Sequence, residues 1–223
     1  MTIERQELLK HLAGQIVQMK QSRILRVSID GVDGAGKTTL ADELVPYIEE
    51  FRRPVIRSSI DGFHLPKEHR YRRGRDSPEG FYFDSFDYEA LNTVLLKPLS
   101  PNGDRQYRSA TFDWRTNLPV DLGYAVAPQN AILLFDGIFS QRPELFPNWD
   151  LRLFLDVSFE ETLKRTLQNE WVSTRSSEEK RRRFWVRYAA GQKIYIESVR
   201  PRDRAHIVID NGDATRPCII RGL

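Results

Sequence analysis

Residues 31–38 read GVDGAGKT and match the phosphate-binding loop (P-loop) pattern G-x-x-x-x-G-K-[ST] at every required position. The glycines let the backbone turn tightly, so that successive N–H groups can face one anion. In this pattern Lys37 reaches the β- and γ-phosphates, and the hydroxyl of Thr38 ligates Mg²⁺. We therefore predict a nucleoside triphosphate site with Mg²⁺. The residues predicted to hold the nucleotide are Gly31, Asp33, Gly34, Ala35, Gly36, Lys37, Thr38 and Thr39.

The segments on either side of this loop favour the same interpretation. Residues 24–29 (ILRVSI) form a short β-branched run that is typical of a buried strand, and residues 38–52 have helical spacing of their apolar positions. A strand, a glycine loop and a helix N-terminus together place an anion at the positive end of a helix dipole. A chance glycine turn would lack both flanking elements.

The composition bounds the class of protein. The chain has 223 residues, of which 40% are hydrophobic and 29% charged, so we predict one domain over residues 1–223 with a full core. No run approaches the ~20 apolar residues that span a bilayer, so no membrane partner is expected. The single Cys218 excludes an internal disulfide and a cysteine-built metal site. We expect a cytoplasmic protein.

Basic residues are concentrated in two segments, although the formal net charge is only +3. Five Lys or Arg residues lie in residues 67–75, and eight lie in residues 164–187. Such clusters suit a polyanionic nucleotide or a nucleic acid, whereas most charge runs are simply solvated surfaces. The P-loop makes a phosphate-facing role at least as reasonable here.

Short apolar runs alternate with helical patterns along the chain. The runs lie at residues 54–60, 131–135, 151–157 and 206–209, and the helical patterns at 1–22, 88–96, 159–170 and 178–199. Runs of this kind are typical of strands covered on both faces. The alternation predicts an α/β fold, a P-loop NTPase core with a parallel sheet flanked by helices. Residues 99–129 interrupt it with prolines and glycines around RQYRSATFDWRTN, which predicts a small β-hairpin insertion.

Acidic residues follow the strands at the edge where parallel sheets bind ligands. Asp136 follows the apolar run ILLF, an arrangement that holds Mg²⁺ in P-loop enzymes, so Asp136 and Thr38 are the predicted metal residues. Asp30 is a weaker competitor because it lies in the approach to the loop. We interpret Asp156 as structural because Val157 continues the apolar pattern.

Asp61 is the candidate general base at the end of the second strand. Phosphoryl transfer to an alcohol needs a group that accepts the hydroxyl proton. The alternative is that Asp61 caps a helix starting near Pro66, since Asp is a favoured cap. The strand-end position favours the base.

Residues 164–187 predict a lid made of a helix, a Ser/Arg-rich loop and a second helix. Arg165 and Arg175 could then stabilise charge on the transferred group. The catalytic candidates are therefore Lys37, Asp61, Arg165 and Arg175.

Four further motifs accompany the P-loop in a consistent order over residues 24–215: DGFH (61–64), FDSFD (83–87), ILLFDGIF (132–139) and HIVIDNGD (206–213). Together they resemble the uridine kinase/phosphoribulokinase family of P-loop kinases. The resemblance implies phosphorylation of a small-metabolite hydroxyl with Mg²⁺ and ATP. It also implies that Asp61 is the base and that Asp84 binds two sugar hydroxyls. It further implies that residues 211–217 lie near adenine. The candidate acceptor-binding residues are His64, Asp84, Phe112 and Arg115.

Departures from the family leave the acceptor open. Uridine kinases carry a Tyr and a His in the hairpin, where this chain has Phe112 and Asn117, and their metal-binding acid is usually Glu rather than Asp. The DGFH motif is also closer to pantothenate and related sugar kinases. A nucleoside is the leading acceptor, and pantothenate or a sugar is the alternative. A nucleic-acid-binding NTPase is disfavoured because the aromatic residues do not form a stacking platform. A homo-oligomer is compatible with the sequence.

Overall fold

The computed structural model describes residues 4–19, 23–168 and 176–223. Its central sheet contains β1 (Leu25–Gly31), β2 (Val55–Ser59), β7 (Ile132–Asp136), β8 (Leu151–Asp156), β9 (Ile207–Asp210) and β10 (Cys218–Arg221). Within the described residues these six strands lie in the order β10-β9-β8-β1-β7-β2. All neighbouring pairs are parallel except β9 and β10. The predicted α/β P-loop fold is confirmed.

β1 lies between β7 and β8, and every one of its residues is buried. Leu25 pairs with Ile132 of β7, and Val27 pairs with Leu151 of β8. Because β1 ends at Gly31, this register carries the P-loop out of the middle of the sheet. The antiparallel edge strand β10 was not predicted from the sequence. It pairs on one side only and is half-exposed, so its apolar pattern is weak.

Helices cover both faces of the sheet. They are α1 (Arg5–Gln18), α2 (Lys37–Glu49), α3 (Lys67–Arg70), α4 (Pro78–Asp84), α5 (Tyr88–Leu91), α6 (Phe159–Gln168), α7 (Ser177–Arg183), α8 (Ala190–Val199) and α9 (Pro201–Arg204). Side chains alternate along β7: Leu134 packs in the cluster with α1 and α2, and Leu133 packs in the cluster with α4, α5 and α8. Among the described helices, none has both the length and the apolar character needed to cross a membrane.

Two predicted helices contain wider turns. The pattern at 88–96 begins as α5 and continues as a π-helix over Asn92–Leu96. The pattern at 178–199 begins at Ser177, where the Ser176 hydroxyl caps α7, and a π-helix over Phe184–Ala189 joins α7 to α8. The predicted helix at 159–170 is α6, and residues 169–170 lie outside the described residues.

The insertion predicted at 99–129 contains two short antiparallel pairs in the described residues. They are β3 (Gln106–Tyr107) with β6 (Ala125–Val126), and β4 (Phe112–Asp113) with β5 (Leu118–Pro119). The Ser58 hydroxyl donates to the Ser109 carbonyl at 2.8 Å, and the Thr111 N–H donates to the Gly62 carbonyl at 2.8 Å. A Cβ at Gly62 would lie 2.6 Å from the Cβ of Ala110, so glycine permits this close approach. The insertion is thereby fixed to the end of β2.

Candidate active site

A cavity of about 730 Å³ lies at the carboxyl ends of β1, β2 and β7. The P-loop, Asp61, Asp136 and Arg165 all contribute to its lining. This volume is typical of small-molecule sites, and the position is the one expected for ligands of a parallel sheet. The structure therefore brings together side chains that are far apart in the sequence.

The P-loop connects the end of β1 to the first turn of α2. Gly34 and Gly36 have φ angles of 76° and 92°, a left-handed backbone that glycine adopts without strain. α2 begins at Lys37, directly after this turn. The positive end of the helix dipole therefore faces the cavity, where a phosphate would be stabilised.

The ammonium group of Lys37 lies beside the loop. Lys37 is 8% exposed, and its Nζ donates a hydrogen bond of 2.8 Å to the carbonyl oxygen of Val32. A phosphate oxygen is a stronger acceptor for an ammonium group than a neutral carbonyl is. The bond to Val32 is therefore one that a bound phosphate could replace.

Thr38 and Asp136 form the candidate magnesium site. The Thr38 hydroxyl lies 2.7 Å from Oδ2 of Asp136, which also accepts from the Ser59 hydroxyl at 3.2 Å, while Oδ1 accepts from Nη2 of Arg57 at 2.8 Å. Asp136 is 1% exposed, so these partners hold its carboxylate in place. Mg²⁺ is usually held by one or two protein oxygens together with waters and phosphate oxygens. Thr38 and Asp136 fit that pattern.

Asp61 lies in a 3-10 turn over Ile60–Phe63 and lines the cavity with an exposed side chain. The cap of this turn is Ser59, whose hydroxyl accepts from the Asp61 N–H at 3.3 Å. The following helix, α3, is preceded by Pro66 and has no side-chain cap among the described residues. Asp61 therefore does not cap that helix, and its role as a base stays a prediction.

Two other acids lie at the start of the loop, Asp30 directly before it and Asp33 within it. Asp30 is fully buried and accepts hydrogen bonds from the N–H of Gly31 at 2.7 Å and from the Tyr195 hydroxyl. Burial raises the pKa of Asp30 to about 6, and these hydrogen bonds oppose the shift. Burial also raises the pKa of Asp33 to about 6, and its N–H donates to Oε1 of Gln192 at 2.7 Å. α8 thus contacts the P-loop through Gln192 and the residue before it through Tyr195.

Arg165 connects the P-loop to the segment that follows β9. Its Nη2 donates to the carbonyl oxygens of Asn211 and Gly212 at 2.7 and 2.8 Å, and its Nη1 lies 3.3 Å from the Gly34 carbonyl. The Asn211 amide in turn donates to the Ala35 carbonyl at 2.8 Å. Arg175, the second predicted lid arginine, lies outside the described residues. The catalytic role of Arg165 and the lid over 164–187 stay predictions.

Asp84 is buried beside two arginines. It is 2% exposed, and its two oxygens accept from Nη2 of Arg72 at 2.5 Å and from Nε of Arg73 at 2.8 Å. Burial alone would raise the pKa of Asp84, but the two guanidinium groups lower it below its ordinary value. A sugar would have to share this carboxylate with the two arginines or displace them, and the predicted sugar contact stays a prediction.

The other acceptor candidates lie beside the insertion. The His64 ring is 4.5 Å from the Phe86 ring and 6.1 Å from the Trp114 ring between centroids, and burial lowers the pKa of His64. Phe112 is 7% exposed, and the Arg115 guanidinium lies 5.3 Å from the centre of the Trp114 ring. In the described part of the chain, the residues lining the large cavity do not include these candidates. The structure does not join them to the P-loop half of the site.

Comparison with known proteins shows what this chain resembles in sequence and in fold. The chain is 24% identical over 145 residues to uridine-cytidine kinase B of Dictyostelium discoideum, a match that covers 65% of this chain and 57% of that relative. A protein of Bacillus stearothermophilus described as a possible uridine kinase has the same fold, with a TM-score of 0.74 and 22% identity, covering 91% of this chain and 97% of that one. The chain is thus similar to uridine kinase-like proteins in part of its sequence and in its fold.

Other comparisons limit what this similarity shows. No protein-family model matches the chain. A protein of Silicibacter sp. TM1040 described as a candidate fructose transport system kinase also shares the fold of this P-loop protein, with a TM-score of 0.71 and 20% identity, covering 86% of this chain and 94% of that one. The match to the Dictyostelium relative spans less than two thirds of that relative's length. The activity and the acceptor are therefore matters for proposal.

Sequence reasoning missed several residues that shape the site of this P-loop protein. Arg57 and Ser59 orient Asp136, and the contact by which Asn211, already expected near adenine, joins the segment after β9 to the P-loop was also not foreseen. Alternation along β2 could have suggested Arg57 and Ser59. Arg5 of α1 also lines the cavity, and no motif marks it.

Proposed function

We propose that this chain transfers the γ-phosphoryl group of ATP to a hydroxyl group of a small metabolite, with a nucleoside as the leading acceptor. One observation carries the proposal: a single cavity is lined by the P-loop, by Asp136 and by Asp61. A phosphate-binding loop, a metal-holding acid and an exposed carboxylate are the groups that phosphoryl transfer to an alcohol requires.

In this proposal the position of each residue in the cavity determines its role. Bound ATP with Mg²⁺ supplies the transferable phosphoryl group and the metal charge. Lys37 exchanges its bond to the Val32 carbonyl for the phosphate oxygens, and Thr38 and Asp136 hold the metal. These groups neutralise the charge that develops on the transferred phosphoryl group.

Asp61 accepts the proton of the acceptor hydroxyl in this proposal. The acceptor oxygen bonds to the γ-phosphorus as the bond from that phosphorus to the leaving oxygen breaks, and the hydroxyl proton passes to the carboxylate. Its exposed side chain at the end of β2 leaves room for a substrate on the cavity side.

A sugar- or pantothenate-type acceptor is the second candidate, and one observation favours it. Each oxygen of Asp84 already accepts from Arg72 or Arg73, so the hydroxyls of a ribose would compete with two guanidinium groups for this carboxylate. A kinase for another acceptor could use Asp84 and its two arginines for a contact other than one to ribose hydroxyls.

An acceptor panel tests the proposal. Purified protein with Mg²⁺ and ATP is offered nucleosides, then pantothenate and free sugars, then single-stranded nucleic acid, and both ADP and the phosphorylated acceptor are measured. We expect stoichiometric ADP and phosphorylated nucleoside. Product only with pantothenate or a sugar moves the assignment to the second candidate. ATP hydrolysis stimulated by nucleic acid, without a phosphorylated small molecule, contradicts both.

A matched acceptor pair tests the role of Asp84. A buried carboxylate that binds two vicinal hydroxyls is left partly unpaired by an acceptor that lacks one of them. We expect a nucleoside to exceed its 2′-deoxy analogue in kcat/KM, and Asp84→Ala to remove most of that preference. Equal kcat/KM for the two acceptors in the unmodified enzyme refutes the assignment of Asp84.

A further inference from the structure

We propose that Arg5 of α1 is a positioning residue for the nucleoside end of the nucleotide site, an inference that rests on the proposed ATP-dependent function. Arg5 lines the same cavity as the P-loop, although 26 positions separate it from Gly31 in the chain. The N-terminal helix would then be part of the nucleotide site.

Arg5 connects three elements. Its Nε donates to Oε2 of Glu43 on α2 at 2.7 Å, and its Nη1 donates to the Ala214 carbonyl at 2.9 Å and lies 3.4 Å from Oδ1 of Asn211. The side chain is 19% exposed, so most of it is held between these partners. One guanidinium group thus ties the segment after β9 to the helix that begins at the P-loop.

The helix that carries Arg5, α1, is fixed by packing in the core. Leu8, Leu12 and Ile16 are fully buried, and they share one core cluster with Leu40 and Leu44 of α2. Helix α1 therefore packs along the P-loop helix, and its first turn reaches the cavity.

The strand order indicates which end of the nucleotide Arg5 serves. Asp136 ends β7 and Asp61 follows β2, on one side of the P-loop strand β1, whereas Asn211 follows β9 on the other side. Phosphate groups bound at the P-loop would point their reacting end toward Asp61 and Asp136. The nucleoside part then extends toward Asn211 and Ala214, the segment that Arg5 holds.

Charge argues for positioning rather than phosphate binding. Glu43 pairs directly with Arg5, so the guanidinium already has a carboxylate partner. Arg165 contacts the same segment through the Asn211 and Gly212 carbonyls. The two arginines together hold the wall against which a base would pack, and loss of Arg5 should loosen that wall without altering the P-loop.

The test compares ligands with and without a nucleoside. Calorimetric titration measures the binding of ADP and of tripolyphosphate to the full chain and to Arg5→Ala, Arg5→Lys and Lys10→Ala. Lys10 is an exposed residue of the same helix and serves as the matched control. We expect Arg5→Ala to weaken ADP binding about tenfold, the scale for loss of charge-assisted hydrogen bonds, and to leave tripolyphosphate within about twofold.

Each outcome decides one of the two proposals. ADP affinity of Arg5→Ala equal to that of the parent overturns the role of Arg5, and so does an equal loss for ADP and tripolyphosphate. Failure of the parent protein to bind ADP instead overturns the proposed function. If melting curves show that Arg5→Ala does not fold, Arg5→Lys carries the comparison, with a smaller loss expected for ADP alone. An ADP affinity of Arg5→Lys equal to the parent's then overturns the inference.

Discussion

The Thr38 hydroxyl donates a hydrogen bond of 2.7 Å to the carboxylate of Asp136, although 98 positions separate the two residues in the sequence. The parallel register of β1 and β7 creates this contact, because Ile29 pairs with Asp136 two residues before the P-loop begins. A hydroxyl and a carboxylate at this separation can share one cation.

Asp136→Asn should lower kcat with Mg²⁺ by about 10²-fold or more, the scale of a lost electrostatic contact in the transition state. The amide keeps the shape of the carboxylate but loses the charge that holds a divalent ion. Steady-state kinetics over a range of Mg²⁺ concentrations should show a raised metal requirement. Asp156→Asn is the matched control, because Asp156 ends β8, on the other side of β1, and pairs with Arg202. Equal activity of both variants would place the metal elsewhere.

Lys37→Ala should reduce phosphoryl transfer by about 10²–10³-fold and leave the fold intact. Within the described residues the ammonium group makes one hydrogen bond, to the Val32 carbonyl, so its removal costs little stability. Turnover and circular dichroism on one preparation check both statements, with the exposed Lys97→Ala as the control. A variant with near-normal turnover would contradict the assignment of Lys37 as a phosphate-binding catalytic residue.

Asp61→Asn and Asp87→Asn separate a base from a cap. Asp87 caps α5 through a 2.8 Å hydrogen bond from the Ala90 N–H, whereas the Asp61 side chain caps no helix in the described residues. We expect Asp61→Asn to lower kcat by about 10²-fold with ATP binding unchanged. Asp87→Asn should keep its turnover and lose at most about 1 kcal/mol of stability, because Asn is itself an acceptable cap. The reverse pattern would contradict both roles.

Asp30 should make the protein less stable as the pH rises. Below about pH 4 its carboxyl is protonated in the folded and the unfolded chain, so it costs nothing. Between pH 4 and about 6 the unfolded chain ionises first, because burial raises the folded pKa of Asp30 to about 6. The free energy of unfolding should therefore fall by about 2–3 kcal/mol from this group between pH 4 and 7.

Urea unfolding of the parent and of Asp30→Asn at both pH values measures this effect. The amide in the variant does not titrate, so the difference in unfolding free energy between the two proteins isolates the contribution of Asp30 from that of other groups. A difference that stays constant from pH 4 to 7 would mean that burial does not shift this carboxyl.

Much of the fold could be predicted from local sequence patterns. The β1 strand, the P-loop and α2 were predictable because strand period, glycine placement and helical period are all encoded by neighbouring residues. The edge strand β10 and the π-helices were not, because a short half-buried strand and a widened turn leave little periodic signal. The nested pairs in the insertion depend on contacts with the end of β2, which no local pattern records.

The sequence by itself determined that this chain carries a P-loop and that acids follow its strands, since both are local patterns of residues. Only the tertiary structure decided that the Thr38 hydroxyl contacts Asp136 and that α1 brings Arg5 to the cavity. It also decided that Arg72 and Arg73 both pair with Asp84. These contacts join residues distant in the chain. They follow from strand register and helix packing, which depend on the whole core.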